Sequence, residues 1–437
     1  MIKRILTLML AVSVLAYCKP AAEQQGEPSA NPSEEPSKEP ASADPSQDVD
    51  DAIYAKAAPE VKNGDKVLAT NPNMQKFLDE VTYQDKDCTD PNSTKIYDYY
   101  GGYNGKTYDE NGNEDPNGKK VKSPNSDKPC SYSIRWTPNT QLGAITVHLE
   151  DATGWKADYA AKAGSAYLDI TNLVPNVKYT YKATATDGTV LAEGSFDTYG
   201  SVHQAFFANA CRNGRDLGGW KTTDGKTIKY RLLYRGGRMN SGETVSKSGR
   251  EEIVRQNILA QLDLRGHSDV LSTPAVPGND FCAPVIEQGG KAMLTDVYAD
   301  GDKKGLNKTK ECFMFCYNSV KAGKGVWFHC SLGRDRTGTL SILLMGLLGV
   351  PEHDIAKEYE LTYFAPVGYS VSSSEYSDPD DYYFRNTHCA WVYSEIVPYF
   401  WSLAGSGSFA DGVEKYLIDV AKVDKAVIDD FRSIMLQ

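Results

Sequence analysis

Positive charge is in short supply in this 437-residue chain, where 47 lysines and arginines stand against 58 aspartates and glutamates, a formal net charge of −11. That balance argues against a nucleic-acid backbone or an anionic membrane surface as the main partner, because both are polyanions. Long apolar runs are missing as well. The stretch from Ile5 to Ala16 and the run "LSILLMGLLGV" at 340–350 both fall short of the roughly 20 apolar residues that a spanning helix needs. Residues 19–50, "KPAAEQQGEPSANPSEEPSKEPASADPSQDVD", have almost no aliphatic or aromatic side chains. Such a segment buries too little apolar area to offset its conformational entropy, and it reads as a solvated tether. No loop of EF-hand spacing accompanies the acidic and amide side chains of "DYYGGYNGKTYDENGNEDPNG", so surface loops account for it better than a calcium site. One helix, "NMQKFLDEV", is expected within residues 51–127, which otherwise carry no assigned function.

What is present is enough for more than one packed core, since 41% of the residues are hydrophobic. Lys3 and Arg4 followed by the apolar stretch to Ala16 have the build of a secretory signal over residues 1–18. Its ending, Leu15-Ala16-Tyr17-Cys18, resembles a bacterial lipobox, although Tyr17 stands where a small residue is usual. The resemblance implies acylation at Cys18, export, and a membrane-anchored lipoprotein of the bacterial cell envelope. Membrane contact would then run through the lipid alone.

Between residues 128 and 199 the pattern changes to short β-branched and aromatic runs separated by turn residues: "SYSIRWTP", "GAITVHLED", "SAYLDITNL", "VKYTYKATATDG" and "LAEGSFDTYG". These are expected as half-buried antiparallel strands of a β-sandwich. Trp136 followed by "LDITNLVPNVKYTYKATA" resembles a fibronectin type III module, which implies spacing or binding rather than chemistry.

Residues 200–437 read as one α/β domain, with a mostly parallel central sheet flanked by helices. Ile258 to Leu264 is a mostly apolar strand after a helical stretch around "SKSGREEIVRQN", and Val326 to Phe328 is another. The second strand ends at His329-Cys330, followed by "SLGRDR" and then by Thr337-Gly338 opening a helix. That order places six consecutive backbone N–H groups at the positive end of a helix, which is an anion receptor. A thiol there is expected as a thiolate near neutrality, because N–H groups and a guanidinium favour that form. Arg336 can hold two phosphoryl oxygens with its fork, and Gly333 permits the turn. A lone cysteine after an apolar strand is more often a core residue or half of a disulfide. That reading leaves the fixed offsets of His, Cys, Gly, Arg, Thr and Gly in "HCSLGRDRTG" unexplained.

The His-Cys-x5-Arg-Thr-Gly pattern resembles the signature of cysteine-dependent protein tyrosine phosphatases. The stretches 213–239 ("NGRDLGGWKTTDGKTIKYRLLYRGGRM"), 259–269 ("LAQLDLRGHSD"), 347–364 ("LLGVPEHDIAKEYELTYF") and the C-terminal "FADGVEKYLIDVAKVDKAVIDDFRSIM" resemble the bacterial tyrosine/serine phosphatase family. The resemblance implies a phosphocysteine on Cys330 and a phosphate cradle formed by Ser331, Leu332, Gly333, Arg334, Asp335 and Arg336. It further implies a hydroxyl from Thr337 to the thiolate, orientation of the loop by His329, and no metal or other cofactor. Asp335 is the implied general acid, with Asp296, Asp300 and Asp302 placed where most tyrosine phosphatases carry theirs. The implied substrate is a phosphorylated protein or small phosphoester. Phosphotyrosine leads; inositol phosphates and phosphoinositides stay open because Arg334 stands where relatives often carry lysine. Arg215 and Asp216, and the pair Asp263 and Arg265, are expected as structural ion pairs beneath the loop. Readings of another class are a non-catalytic envelope protein that only binds phosphorylated ligands, and a sulfur transferase, which the Arg-Thr-Gly end of the loop disfavours.

Among the other cysteines, Cys88 and Cys130 are a candidate disulfide in an oxidising compartment. Cys312 and Cys316 share a helical face and are expected in the core. Cys211, Cys282 and Cys389 cannot be paired from the sequence.

Overall fold

The computed structural model describes residues 56–82, 107–108, 114–115, 128–139, 141–207, 211–239, 245–295, 306–364 and 395–437. The signal segment 1–18 with Cys18, the tether 19–50, Cys88, Cys389, and the alternative acids Asp296, Asp300 and Asp302 lie outside the described residues. Residues from Asp51 to Gln437 form one compact unit.

Its first part is β-rich. The strands are β1 (Lys66–Leu68), β4 (Tyr132–Arg135), β5 (Ile145–Asp151), β6 (Lys156–Ala161), β7 (Tyr167–Ile170), β8 (Lys178–Ala185) and β9 (Val190–Tyr199), with a separate two-residue pair β2 (Thr107–Tyr108) and β3 (Glu114–Asp115). Strict alternation drives the sheet. Along β5, Ile145, Val147 and Leu149 turn inward while Thr146 and Glu150 face out, and along β8 the inward set is Tyr179, Tyr181, Ala183 and Ala185. A five-stranded sheet results, in the order β1-β9-β8-β5-β6, antiparallel except for β1 against β9. The antiparallel pair of β4 and β7 adds Ile134 and Ile170 to the same core, beside Trp136, Val147 and Phe196. Each such side chain contributes about 1.5–3 kcal/mol on full burial.

Residues 56–82, where only a helix is expected from the pattern, are divided between two cores. Strand β1 pairs with β9, Lys66 opposite Asp197. Helix α1 (Pro72–Glu80) instead buries Met74, Phe77 and Leu78 in the core of the α/β part, with the Phe77 ring 5.7 Å from that of Phe364. Cys130, the expected partner of Cys88, carries a free thiol that donates to the Thr70 carbonyl at 3.2 Å.

The α/β part is mixed. Its sheet runs β10 (Arg215–Asp216), β11 (Leu233–Gly236), β14 (Gly325–His329), β12 (Ile258–Asp263), β13 (Asp280–Cys282). β10 is antiparallel to β11, and the other neighbours are parallel. All five residues of the central strand β14 are buried. Val326 and Phe328 enter one core and Trp327 the other, because alternate side chains take opposite faces. Helix α2 (Lys247–Arg255) is capped by Ser246, whose hydroxyl accepts from the Gly249 amide at 3.0 Å. It is followed by α3 (Gly290–Thr295), α4 (Leu306–Lys321) and α5 (Asp335–Leu347). Helix α5 is buried all round from Thr337 to Leu347, as a helix hydrophobic on every side must be. Among the described residues no helix is long and apolar enough to cross a membrane. Cys312 and Cys316 on α4 are fully buried in the core beside it. Helices α6 (Glu352–Glu360), α7 (Val397–Ala404), α8 (Phe409–Lys415) and α9 (Lys425–Met435) complete the layer.

Candidate active site

Strand β14 hands the chain to a loop from Cys330 to Arg334, and α5 begins at Asp335. Gly333 has φ +76°, and a Cβ there would sit 2.4 Å from the Gly236 carbonyl carbon and 2.7 Å from the Gly237 nitrogen. Only glycine permits both the backbone hand and that approach. The loop's carbonyls are taken up on its inner side. Cys330 O faces His329 Nδ1 at 3.2 Å, and Ser331 O accepts from the Arg238 amide at 3.2 Å. Leu332 O and Gly333 O accept from Asn213 Nδ2 at 3.1 and 3.2 Å, and Gly333 O also accepts from Arg235 Nη2. In a trans peptide the N–H points opposite to its C=O. The amides of Ser331, Leu332, Gly333 and Arg334 are therefore turned outward, and those of Asp335 and Arg336 join them in the first turn of α5, where helix N–H groups have no intrahelical acceptor.

Beneath the loop two buried guanidiniums share one carboxylate. Arg215 Nε meets Glu358 Oε1 at 2.6 Å and Arg235 Nη1 meets Glu358 Oε2 at 2.7 Å. Burial, reinforced by the neighbouring Arg235 and opposed by Glu358, pulls Arg215 down to about 9. Arg215 thus pairs across the fold with α6 and not with its sequence neighbour. Asp216 instead accepts from the Gly218 amide at 2.8 Å and lies 3.1 Å from His203 Nδ1. Asp263 and Arg265 do pair with each other, through contacts of 2.8 and 2.7 Å.

The Cys330 thiol is 3% exposed. Burial alone would raise its pKa, but the Arg336 guanidinium, with the Thr337 hydroxyl and amide beside the sulfur, outweighs burial and the nearby Asp335 charge and holds it below the ordinary thiol value. Arg336 is fixed by Nη1 donating to Ile286 O at 2.9 Å. The other described thiols with resolved shifts, Cys130, Cys282, Cys312 and Cys316, are all pushed up by burial.

His329 is tied to the loop and to Gln261 by contacts of defined polarity. The Ala275 amide donates to Gln261 Oε1 at 2.7 Å, so Gln261 Nε2, 2.9 Å from His329 Nε2, is the donor there. The imidazole proton is then on Nδ1, directed at Cys330 O. Burial, together with Arg265 and against the pull of Asp263, lowers His329 to about 4, which keeps the ring neutral.

The structure thus brings His329, Cys330, the cradle residues 331–336 and Thr337 into one site. Arg334 turns onto Asp335, with Nε to Oδ1 at 2.9 Å and Nη2 to Oδ2 at 3.3 Å. Sequence reasoning missed Asn213, Arg235, Gln261, Asp269 and Glu358. All five fall within the stretches that carried the family resemblance, but no local spacing disclosed their contacts with the loop. Among the described residues no group of three or more His, Cys, Asp or Glu side chains could hold a metal ion.

A thiol with a lowered pKa, set on a loop of outward amides between a strand and a helix and near a guanidinium, gives this α/β part the geometry of an anion-binding site. The tyrosine phosphatase family model matches residues 207–437, more than half of the chain and every residue of this loop and its support. The chain belongs to the tyrosine phosphatase family. A Cupriavidus necator protein named as a tyrosine-protein phosphatase is 29% identical over 168 residues, which are 34% of this chain and 59% of that relative. The chain therefore spans about three fifths of that relative's length.

Proposed function

We propose that the chain is a metal-independent phosphomonoesterase, acting on phosphotyrosine through a phosphocysteine on Cys330. The thiolate attacks phosphorus, so that the S–P bond forms as the P–O bond to the leaving group breaks and the leaving oxygen takes a proton. Water then forms a new O–P bond as the S–P bond breaks. The outward amides and the Arg336 fork hold the equatorial oxygens throughout. The observation that carries this reading is the placement of Cys330 at the head of a loop whose carbonyls are engaged on the inner side, so that its amides turn outward around the thiol; the Arg336 guanidinium holds that thiol below its ordinary pKa. A protein that only bound phosphorylated ligands would have no use for such a thiol.

Arg334 supports the phosphotyrosine reading over inositol polyphosphates, because its guanidinium is engaged by Asp335 inside the loop. A shared core between the five-stranded sheet and the β4–β7 pair supports a fibronectin-like β-sandwich for the first part. Export and tethering through Cys18 to the cell envelope belong to the same proposal and rest on the N-terminal sequence.

Cys330→Ser is expected to abolish turnover of p-nitrophenyl phosphate while vanadate and phosphate still bind, and chelators are expected to leave the wild type active. Full activity in the serine variant, or loss of activity on chelation, overturns the mechanism.

A further inference from the structure

Three partly exposed carboxylates border the loop among the described residues, and each is held differently. Glu287 accepts from the His267 amide and faces the His267 ring, and these hydrogen bonds lower its pKa, so it is a poor proton donor. Asp335 has both oxygens on Arg334. A guanidinium stabilises a carboxylate and not a carboxylic acid, so that pair must open before Asp335 can release a proton. Asp269 is different. Its Oδ2 accepts from the hydroxyl of Ser331, the residue after the nucleophile, at 2.6 Å. A hydroxyl donates to a carboxylate and accepts from a carboxylic acid, so this contact is compatible with both forms that an acid–base group must visit.

The position of Asp269 is built from below. Asp263, buried at the end of β12, accepts from the Arg265 amide at 3.1 Å and from the Leu271 amide at 2.9 Å, tying together both ends of the loop that carries Asp269. The Arg265 guanidinium closes on the same carboxylate, and Val270 N donates to Gly266 O at 3.0 Å to form the turn. The stretch "DLRGHSDVL" is thus a scaffold whose product is one carboxyl group against the phosphate loop.

We propose that Asp269 is the proton donor of the reaction. It gives its proton to the leaving oxygen as the P–O bond breaks, and as a carboxylate it takes a proton from water as the second O–P bond forms and the S–P bond breaks. This rests on the phosphocysteine reading above.

The test compares Asp269→Asn with Asp335→Asn on p-nitrophenyl phosphate and on phenyl phosphate, whose leaving group is the more basic, across pH. Asp269→Asn should slow phenyl phosphate about 100-fold or more, slow p-nitrophenyl phosphate much less, and remove the basic limb of the kcat profile. Asp335→Asn should keep that limb. A limb kept in Asp269→Asn and lost in Asp335→Asn overturns the proposal. Should Asp269→Asn fail to fold, Ser331→Ala supplies the second reading: removing the hydrogen bond to the acid shifts the basic limb, and an unmoved limb contradicts the assignment. Acid quenching of the wild type during turnover keeps the two claims apart, since absence of phosphocysteine sinks the underlying reading and not the choice of acid.

Discussion

Arg231, at the entry to β11, meets Asp151 at the end of β5 at 2.7 Å, with side chains 6% and 0% exposed. The Tyr179 hydroxyl lies 3.2 Å from the same guanidinium and the Trp155 ring 4.3 Å from it. Arg231 also has φ +64°, a conformation costing a non-glycine residue about 1–3 kcal/mol unless its surroundings hold it. Here the Asp216 carboxylate accepts from its amide while the Asp151 carboxylate forms an ion pair with its side chain. The β-rich part is therefore fastened to the strand that supports the phosphate loop, where a spacer module would leave the two parts loosely joined.

Replacing Arg231 with Met should cost about 3–5 kcal/mol, since it leaves Asp151 buried without its cation. Urea unfolding followed by circular dichroism checks this, with both parts expected to unfold in one transition. The double variant Arg231→Met, Asp151→Leu should recover part of the loss. Two separate transitions, or an unchanged midpoint, would contradict the fastening.

Glu358→Gln keeps the shape of the side chain but leaves Arg215 and Arg235 facing each other beneath the loop. A loss of about 3 kcal/mol or more is expected from the uncompensated buried charge. Removing one cation as well, in Glu358→Gln with Arg215→Met, should restore much of it. A loss below about 0.5 kcal/mol in the single variant, the range of ordinary surface substitutions, would contradict the shared-carboxylate arrangement.

His329 gives the stability a pH dependence of known sign. Its folded pKa of about 4 lies below the ordinary 6.5, so between these values the unfolded chain binds a proton that the folded protein refuses. Stability should then fall as pH drops from about 6.5 toward about 4, by about 1.4 kcal/mol per unit from this residue, and its contribution should level off below. His329→Asn should have a shallower slope over that window. Equal slopes for the two proteins would contradict the buried neutral ring.

The arrangement of the loop was legible where it is local. Cys330, Gly333, Arg336 and Thr337 follow one another along a strand, a turn and a helix start, and an anion nest needs little more than that order. Its support was not, because Asn213, Arg235 and Glu358 converge from elements separated by as much as 145 residues. The fold shows the same division. Alternation along β5 and β8 announced strands, whereas β1 is three residues long and its partner β9 lies some 130 positions away. Helix α1 could be expected from its pattern, but nothing in "NMQKFLDEV" says which of two cores its Phe77 enters. Arg215 and Asp216 are buried in structural contacts as expected, but the sequence could not name their partners, Glu358 and His203, because strand β10 sends the two side chains to different elements.

The pH dependence of Cys330 alkylation by iodoacetamide, read by peptide mapping, tests the central claim most directly. Cys330 should react well below the pH at which an ordinary thiol does and be protected by inorganic phosphate, while Cys282, pushed up to about 12, stays unmodified. Alkylation of Cys330 only in alkaline solution, at the pH of an ordinary thiol, would contradict a resting thiolate and with it the proposed nucleophile.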